Sequence, residues 1–242
     1  MKTRRSDLSM ATKIRKYRIH PKGWPFISIF AVVAAVLFLI PNLAGTILGW
    51  TGVILTLWSA YFFRDPDRVT PIGNALVISP ADGIIQSINH AAPPAELGMP
   101  DGSMRRISVF MNIFDCHVNR CPVSGKIEKS AYNPGKFFNA SLDKASEYNE
   151  RRGIRIKSSD GHDLAVVQIA GLIARRIISW IPDGSPVEAG QRFGMIRFGS
   201  RVDIYLENSV AIFVTEGQRA IAGETVLASY EPGIADYKGA IR

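Results

Sequence analysis

Polar and apolar residues are distributed along this chain in two textures. Between Gly23 and Phe63 there is no Asp, Glu, Lys or Arg. That run of about 41 residues is too long for one bilayer crossing and about right for two. Pro41-Asn42, a turn signal, divides it into Trp24–Ile40 and Leu43–Phe63. The pattern predicts a helical hairpin with both ends on one side of a membrane; the shortness of the first stretch leaves a re-entrant segment as the alternative. Trp24, Trp50, Trp58 and Tyr61 are candidate interfacial anchors. After Phe63 the texture changes to short runs rich in β-branched residues, punctuated by Gly, Pro, Asp and Asn. Strands are expected at Ala75–Ser79, Gly83–Ile88, Ile107–Phe114, Ile154–Lys157, Leu164–Ile169, Val202–Leu206 and Thr225–Tyr230. Asn139–Arg151 reads as helical or loop-like. The expected fold is mainly β, a barrel-sandwich-like soluble domain preceded by an N-terminal transmembrane helical hairpin. The expected organisation is a basic flank (1–22), a membrane segment (23–63) and a β-rich domain (64–242).

Charge adds an orientation. The formal net charge is +8, and Lys2, Arg4, Arg5, Lys13, Arg15, Lys16, Arg18 and Lys22 crowd the segment before the apolar run. Basic residues beside a span mark a cytoplasmic flank. The expected location is therefore the cell (inner) membrane, with the β-rich domain on the cytoplasmic side. A cleaved signal peptide fits poorly, because more than 20 polar and basic residues precede the first apolar stretch. Nucleic acid is not expected as a partner, since no zinc-finger or helix-turn-helix spacing is present. Cys116 and Cys121, the two cysteines, flank His117 at a spacing that fits no common zinc pattern, so no metal is expected.

Three positions are candidates for chemistry. Gly199-Ser200 lies inside an otherwise strand-like run, Phe193 to Leu206. A glycine there marks a bulge, or a bend strained enough for the Ser200 hydroxyl to attack the preceding carbonyl; spacing alone favours the bulge. Asp82 sits in a Pro-Ala-Asp-Gly turn, where an Asx-turn is the ordinary role. His117, set in β-like sequence, reads either as a satisfied core residue or as a general acid–base. If the three meet, Asp82 would orient His117, and His117 would deprotonate Ser200. No lysine stands at the tip of a carrier-type hairpin, so a swinging-arm carrier is not expected. A membrane-anchored adaptor with a barrel-sandwich domain is the rival from another class, and it would need inserted coiled-coil helices that the sequence lacks.

Five collinear motifs carry a resemblance. Phe62-Phe63-Arg64-Asp65-Pro66-Asp67-Arg68, Ser79-Pro80-Ala81-Asp82-Gly83, the run from Phe110 to Arg120, Asn139 to Glu147, and Arg197-Phe198-Gly199-Ser200 together resemble the short form of phosphatidylserine decarboxylase. The match runs from about Phe62 to about Tyr230. The resemblance implies a proenzyme that cuts itself between Gly199 and Ser200 and turns Ser200 into a covalent pyruvoyl cofactor. Residues 1–199 would form one product chain and 200–242 the other. The implied substrate is phosphatidylserine, converted to phosphatidylethanolamine, with membrane lipids as partners and a homo-oligomer compatible with the pattern. Matching position assigns Asp82 and His117 to self-cleavage, and His117 also to proton donation in decarboxylation. Longer members carry a second histidine three residues on. Here that position is Arg120, so one imidazole would have to serve both steps, or Arg120 would hold the lipid phosphate or carboxylate.

Overall fold

The computed structural model describes residues 17–73, 75–100, 102–138, 140, 148–172, 176–197, 199–231 and 238–241. The basic residues Lys2 to Lys16, Phe198 and most of the motif from Asn139 to Glu147 lie outside the described residues. The chain divides into two compact units at the Asp67/Arg68 junction.

In the first unit, β1 (Tyr17–Ile19) pairs antiparallel with β2 (Arg64–Pro66), and between them run α1 (Trp24–Phe38) and α2 (Leu43–Phe62). Pro21–Phe38, which adds the short 3-10 turn before α1, and Leu43–Phe62 are each long and apolar enough to cross a membrane, with mean hydropathies of 1.7 and 1.4. A proline in the first turn of α1 is tolerated because the N–H there needs no intrahelical partner. α1 stops at Phe38, two residues short of the expected Ile40, ahead of Pro41. Asn42 then starts α2 by accepting the Gly45 N–H on its side chain at 2.8 Å. The helices pack through small residues. A methyl group on Gly52 would stand 2.7 Å from Ala34 Cβ, and one on Gly49 would stand 2.7 Å from the Phe38 ring. Lipid gives helices no hydrophobic drive to associate, so this close approach is what holds such a pair. The chain closes below the helices where His20 N–H donates to the Phe63 carbonyl at 2.8 Å.

The second unit is built from strands. In chain order they are β3 (Val69–Ile72), β4 (Leu76–Ile78), β5 (Gly83–Ala91), β6 (Met104–Met111), β7 (Val118–Arg120) and β8 (Gly125–Asn133). There follow β9 (Arg151–Ser158), β10 (Asp163–Ala170), β11 (Ile177–Ser179), β12 (Pro186–Val187) and β13 (Arg192–Ile196). The last are β14 (Ser200–Leu206), β15 (Ala211–Ile212), β16 (Arg219–Ala220), β17 (Val226–Ser229) and β18 (Lys238–Ile241). Eight form one antiparallel sheet in the order β12-β8-β9-β10-β14-β6-β5-β16, curled into a half-barrel. Register shifts at Ile85/Ser87 and Ile127/Lys129 supply bulges, which bend a sheet. β11-β13-β7 and β15-β17-β4 form two smaller sheets, and β18 pairs with β3.

Each expected strand is present, and the mainly β reading holds. The differences have local causes. β6 ends at Met111 rather than Phe114, because Asn112 to Asp115 closes a turn in which Asp115 N–H donates to the Asn112 carbonyl at 3.0 Å. Arg151, expected in a helical or loop-like segment, opens β9. The sheet's two faces are both buried near its centre. Val109, Ile154, Val166, Val202 and Ile204 pack on one, while Ala165, Val167, Ile169 and Tyr205 pack with Leu97 and Met99 on the other. The central strand β14 is therefore buried along its whole length.

The hairpin packing is testable by crosslinking. With Ala34→Cys and Gly52→Cys introduced together, mild oxidation of membranes should give an intramolecular disulfide, because the two β-carbons, 2.7 Å apart as placed, need part by only about 1 Å to reach bridging range. Crosslinks only between chains would contradict the α1–α2 contact.

Candidate active site

Ser200 opens β14 and is fully buried. Its backbone pairs with Ala170 on one side and Met111 on the other, and its hydroxyl donates to Met111 Sδ at 3.5 Å. The strand-like run expected here is broken. The chain leaves the three-stranded sheet at Ile196 and enters the eight-stranded sheet at Ser200, so Gly199 sits at the junction of two sheets. Gly199 has φ +64°, a left-handed conformation that glycine adopts freely and a residue with a β-carbon does not. The constraint on this peptide is therefore one of position rather than of dihedral strain. A β-carbon on Gly171 would overlap the Gly199 carbonyl oxygen, so that oxygen rests against the bare Cα of Gly171.

His117 approaches the same peptide from the segment between β6 and β7. That segment is locked by its own side chains. Asn112 N–H donates to Asp115 Oδ2 at 2.9 Å, Phe114 N–H to Asn112 Oδ1 at 2.8 Å, and the Arg219 guanidinium of β16 to Asp115 Oδ1. His117 Nδ1 lies 2.9 Å from the Asp115 main-chain oxygen. A carbonyl only accepts, so Nδ1 carries the hydrogen and Nε2 is left with its lone pair. Nε2 accepts the Gly199 N–H at 3.3 Å. A buried imidazole in a fixed tautomer thus points its basic nitrogen at the peptide unit preceding Ser200.

Asp82 is also buried, and its turn is not an Asx-turn. Ser79 takes the local role, its hydroxyl donating to the Ala81 carbonyl at 2.8 Å. The Asp82 carboxylate instead meets Arg68 Nη2 at 3.0 and 2.8 Å and accepts the Ala222 N–H at 2.8 Å. Burial pushes the Asp82 carboxyl above the usual carboxylate range, against the pull of Arg68 and the Ala222 amide. Burial also penalises Arg68, yet Asp82, Cys116 and Glu224 together hold it above its ordinary value. One shift favours a neutral pair and the other a charged one. Three hydrogen bonds converging on the carboxylate favour the ionised pair.

The oxygen on His117 Nδ1 thus comes from Asp115, whereas Asp82 holds Arg68 and the chain beyond Ser200. Arg120, expected to meet a lipid anion, is 1% exposed and donates to the Gly190 carbonyl at 2.8 Å. Several residues passed over by the sequence reading belong to the site. Gln168 donates to Asn119 Oδ1 at 2.7 Å, Asn119 donates to Met111 Sδ, the sulfur on which the serine rests, at 3.8 Å, and Asn149 donates to the Phe138 and Ala170 carbonyls at 2.7 Å each. Gln168 had a signal, being the one amide in an apolar strand. Asp115 stood in the motif around His117 with nothing to mark its role, and Asn149 and Gly171 had no signal. Cys116 and Cys121 are buried free thiols, and among the described residues no three His, Cys, Asp or Glu converge as a metal site.

A hydroxyl and a tautomer-fixed imidazole are familiar partners in acyl chemistry; here the carbonyl beside them belongs to the chain itself. Comparison with known proteins supplies the family. The phosphatidylserine decarboxylase profile matches residues 55–228. The chain is 56% identical to the phosphatidylserine decarboxylase proenzyme of Ruegeria pomeroyi over 213 residues, covering 88% of this chain and 95% of that one. It is 54% identical to the proenzyme of Paramagnetospirillum magneticum, covering 96% and 95%, and 54% identical to that of Cereibacter sphaeroides, covering 93% and 95%. The chain belongs to the phosphatidylserine decarboxylase family.

Arg68→Ala leaves a buried carboxylate without its cation and should cost about 3–5 kcal/mol in urea unfolding. A loss near zero would mean that Asp82 is protonated and the pair is not ionic. Burial pushes the Cys121 thiol up to about 12. Cys121 should therefore resist iodoacetamide at neutral pH in the folded protein and react once the chain is unfolded.

Proposed function

We propose that this chain is a proenzyme that severs its own Gly199–Ser200 bond, converts Ser200 to a pyruvoyl group and decarboxylates phosphatidylserine to phosphatidylethanolamine. The observation that carries the reading is the contact of His117 Nε2 with the Gly199 N–H, at a left-handed glycine directly before a buried serine. Sequence identity of 54–56% to named proenzymes over most of the chain supports the substrate.

Self-cleavage follows from the chain's own groups. The Ser200 hydroxyl, resting on Met111, turns about its Cα–Cβ bond toward the Gly199 carbonyl carbon. His117 Nε2 takes its proton as the Oγ–C bond forms, and returns it to the Ser200 nitrogen as the C–N bond breaks. The product is an ester of Gly199 on Ser200. Loss of the Ser200 α-proton and expulsion of the Gly199 carboxylate leave dehydroalanine. Water then replaces the nitrogen, which departs as ammonia, and the new N-terminus is a ketone. Gly171 fixes the carbonyl under attack, and Asp115 fixes the tautomer of the base. Asp82 serves by holding Ala222, and with it the segment after the cut, to the turn before β5.

The pyruvoyl ketone supplies an electrophilic carbon for the serine amine of the lipid and a sink for the electron pair left as carbon dioxide departs. The residues present fit such a group: position 200 is buried and walled by Met111, Ala170 and Gly199, so bulk water is kept from the ketone. His117 Nε2 is the nitrogen placed to hold and return the proton that replaces the carboxylate. Burial of Arg120 supports a packing role for it, and a single histidine then serves both stages. The apolar hairpin anchors the chain in the inner membrane, with the catalytic domain, 64–242, on the cytoplasmic side where its lipid headgroups lie.

Intact mass under denaturing conditions tests the reading. The 26.6 kDa chain should divide between Gly199 and Ser200, with a ketone at the N-terminus of the smaller piece, and the purified protein should release phosphatidylethanolamine from phosphatidylserine vesicles. Ser200→Ala should stay whole and inactive. His117→Ala should slow division by about 10²–10⁴-fold, the usual worth of a general acid–base. Gly171→Ala should fold yet divide slowly, because its methyl displaces the Gly199 carbonyl. A full-length, active wild-type protein would sink the proposal.

A further inference from the structure

Arg176 and Arg197 occupy opposed positions in an antiparallel ladder. Ile177 pairs with Ile196, and one step further Arg197 N–H donates to the Arg176 carbonyl at 3.2 Å. Opposed residues of such a ladder send their side chains to the same face. Two guanidiniums are therefore set side by side, an arrangement that destabilises a sheet. Burial, and then the charge of Arg176, hold Arg197 below its ordinary value. The pair adjoins the site through the chain. Arg197 is three residues from Ser200, and its neighbour Ile196 donates its N–H to the His117 carbonyl at 3.4 Å. Arg176 is exposed and Arg197 half-buried, so this face can be reached from outside.

We infer that Arg176 and Arg197 form the anion site that receives the phosphodiester of the lipid headgroup. The inference rests on the reading of Ser200 as the decarboxylation centre. An anion between two guanidiniums turns their mutual repulsion into two charge-assisted, bidentate contacts.

The headgroup of the proposed substrate carries two anions, and the chemistry chooses between them. A cation held against the carboxylate would stabilise the charge that has to leave as carbon dioxide, deepening the ground state and slowing the step. The phosphodiester keeps its charge from start to finish, so holding it costs nothing in the transition state. Reach agrees. Four bonds separate the serine amine from phosphorus, about 5 Å at ordinary bond lengths. Three residues of chain put Arg197 Cα within about 10 Å of position 200, and its side chain covers the remainder. Arg120 is excluded from the task by its burial and by its bond to the Gly190 carbonyl.

Uniform binding of this kind lowers KM and leaves kcat almost untouched. The full chain in detergent micelles, with Arg176→Gln, Arg197→Gln or both, is first weighed intact to count the divided fraction. It is then assayed with a short-chain phosphatidylserine. Each substitution should raise KM roughly tenfold or more, with kcat of the divided protein changed by less than about threefold. A second measurement needs no ketone. In undivided Ser200→Ala protein, glycerophosphoethanolamine, a phosphodiester without a carboxylate, should perturb NMR signals or bind calorimetrically, and should lose that binding when both arginines are replaced. An unchanged KM in divided variants overturns the inference. So does equal binding of glycerophosphoethanolamine with and without the arginines, or loss of free serine binding in its place. If wild-type protein neither divides nor decarboxylates, the proposed function falls, and the glycerophosphoethanolamine comparison still decides whether the pair is a phosphodiester site.

Discussion

The position of one peptide unit organises this site. Gly199 is pinned on two sides: its N–H is held by His117 Nε2, and its carbonyl oxygen is pressed against the Cα of Gly171. Neither contact survives without support from further out. His117 presents its basic nitrogen only because Asp115 takes the Nδ1 hydrogen, and Asp115 is held by Asn112 and Arg219. Gly171 stays in place because it continues β10, whose end is tied by Asn149 through the Ala170 carbonyl. The two elements reach Gly199 from different sheets, and Gly199 is itself the link between those sheets. A change in either sheet's register would therefore be felt first at this bond.

Burial gives that geometry its chemical meaning. Ser200 lies in the most enclosed strand of the eight, with partners on both sides and packed layers above and below. The neighbouring face of the same strand holds Arg201 and Asp203, whose ion pair is 1% and 0% exposed, and Arg201 donates to the Ala140 carbonyl at 3.2 Å. Charge is thus spent beneath the serine on keeping the strand and its covering segment in register, while the face bearing the hydroxyl is lined by Met111, Ala170 and Val202. Burial of this kind lowers the local dielectric and would favour the proposed intramolecular attack over hydrolysis.

Much of the frame was legible in the sequence because it depends on local pattern. The absence of charge from Gly23 to Phe63 with a Pro-Asn break is enough for the helical pair, and β-branched runs between glycines are enough for the long strands. The site was legible in part. Ser200, His117 and Asp82 stand in short motifs, and the resemblance assembled them; spacing alone left Gly199-Ser200 as a bulge. What stayed hidden is set by long-range register. That Gly171 meets Gly199, that Arg219 grips Asp115, or that Arg176 faces Arg197 follows from how strands far apart in sequence align, and no periodicity within any one of them carries it. Arg120 illustrates the converse. Its charge suggested a ligand, and only the packed structure shows it buried and bound to a carbonyl.

The same long-range contacts explain how a chain could lose a bond at its centre and keep its shape. The segment beginning at Ser200 is hydrogen-bonded along β10 and β6 over its full length, and further on Arg219 holds Asp115, Ala222 holds Asp82, and β17 pairs with β4. These contacts are made by groups on both sides of the proposed cut, and none runs through the Gly199–Ser200 bond. Breaking it adds a little chain entropy to the unfolded state and leaves the buried area and the ladders as they were. On the Gly199 side the chain comes off β13, the middle strand of the three-stranded sheet, and beyond Ile196 it leaves that ladder. The asymmetry has a direction: after the proposed cut the Gly199 end, outside any strand, is the piece able to move aside, whereas position 200 stays within the ladders to β10 and β6. A site that first attacked its own backbone and later admitted an outside molecule, as proposed, would need that order of firmness.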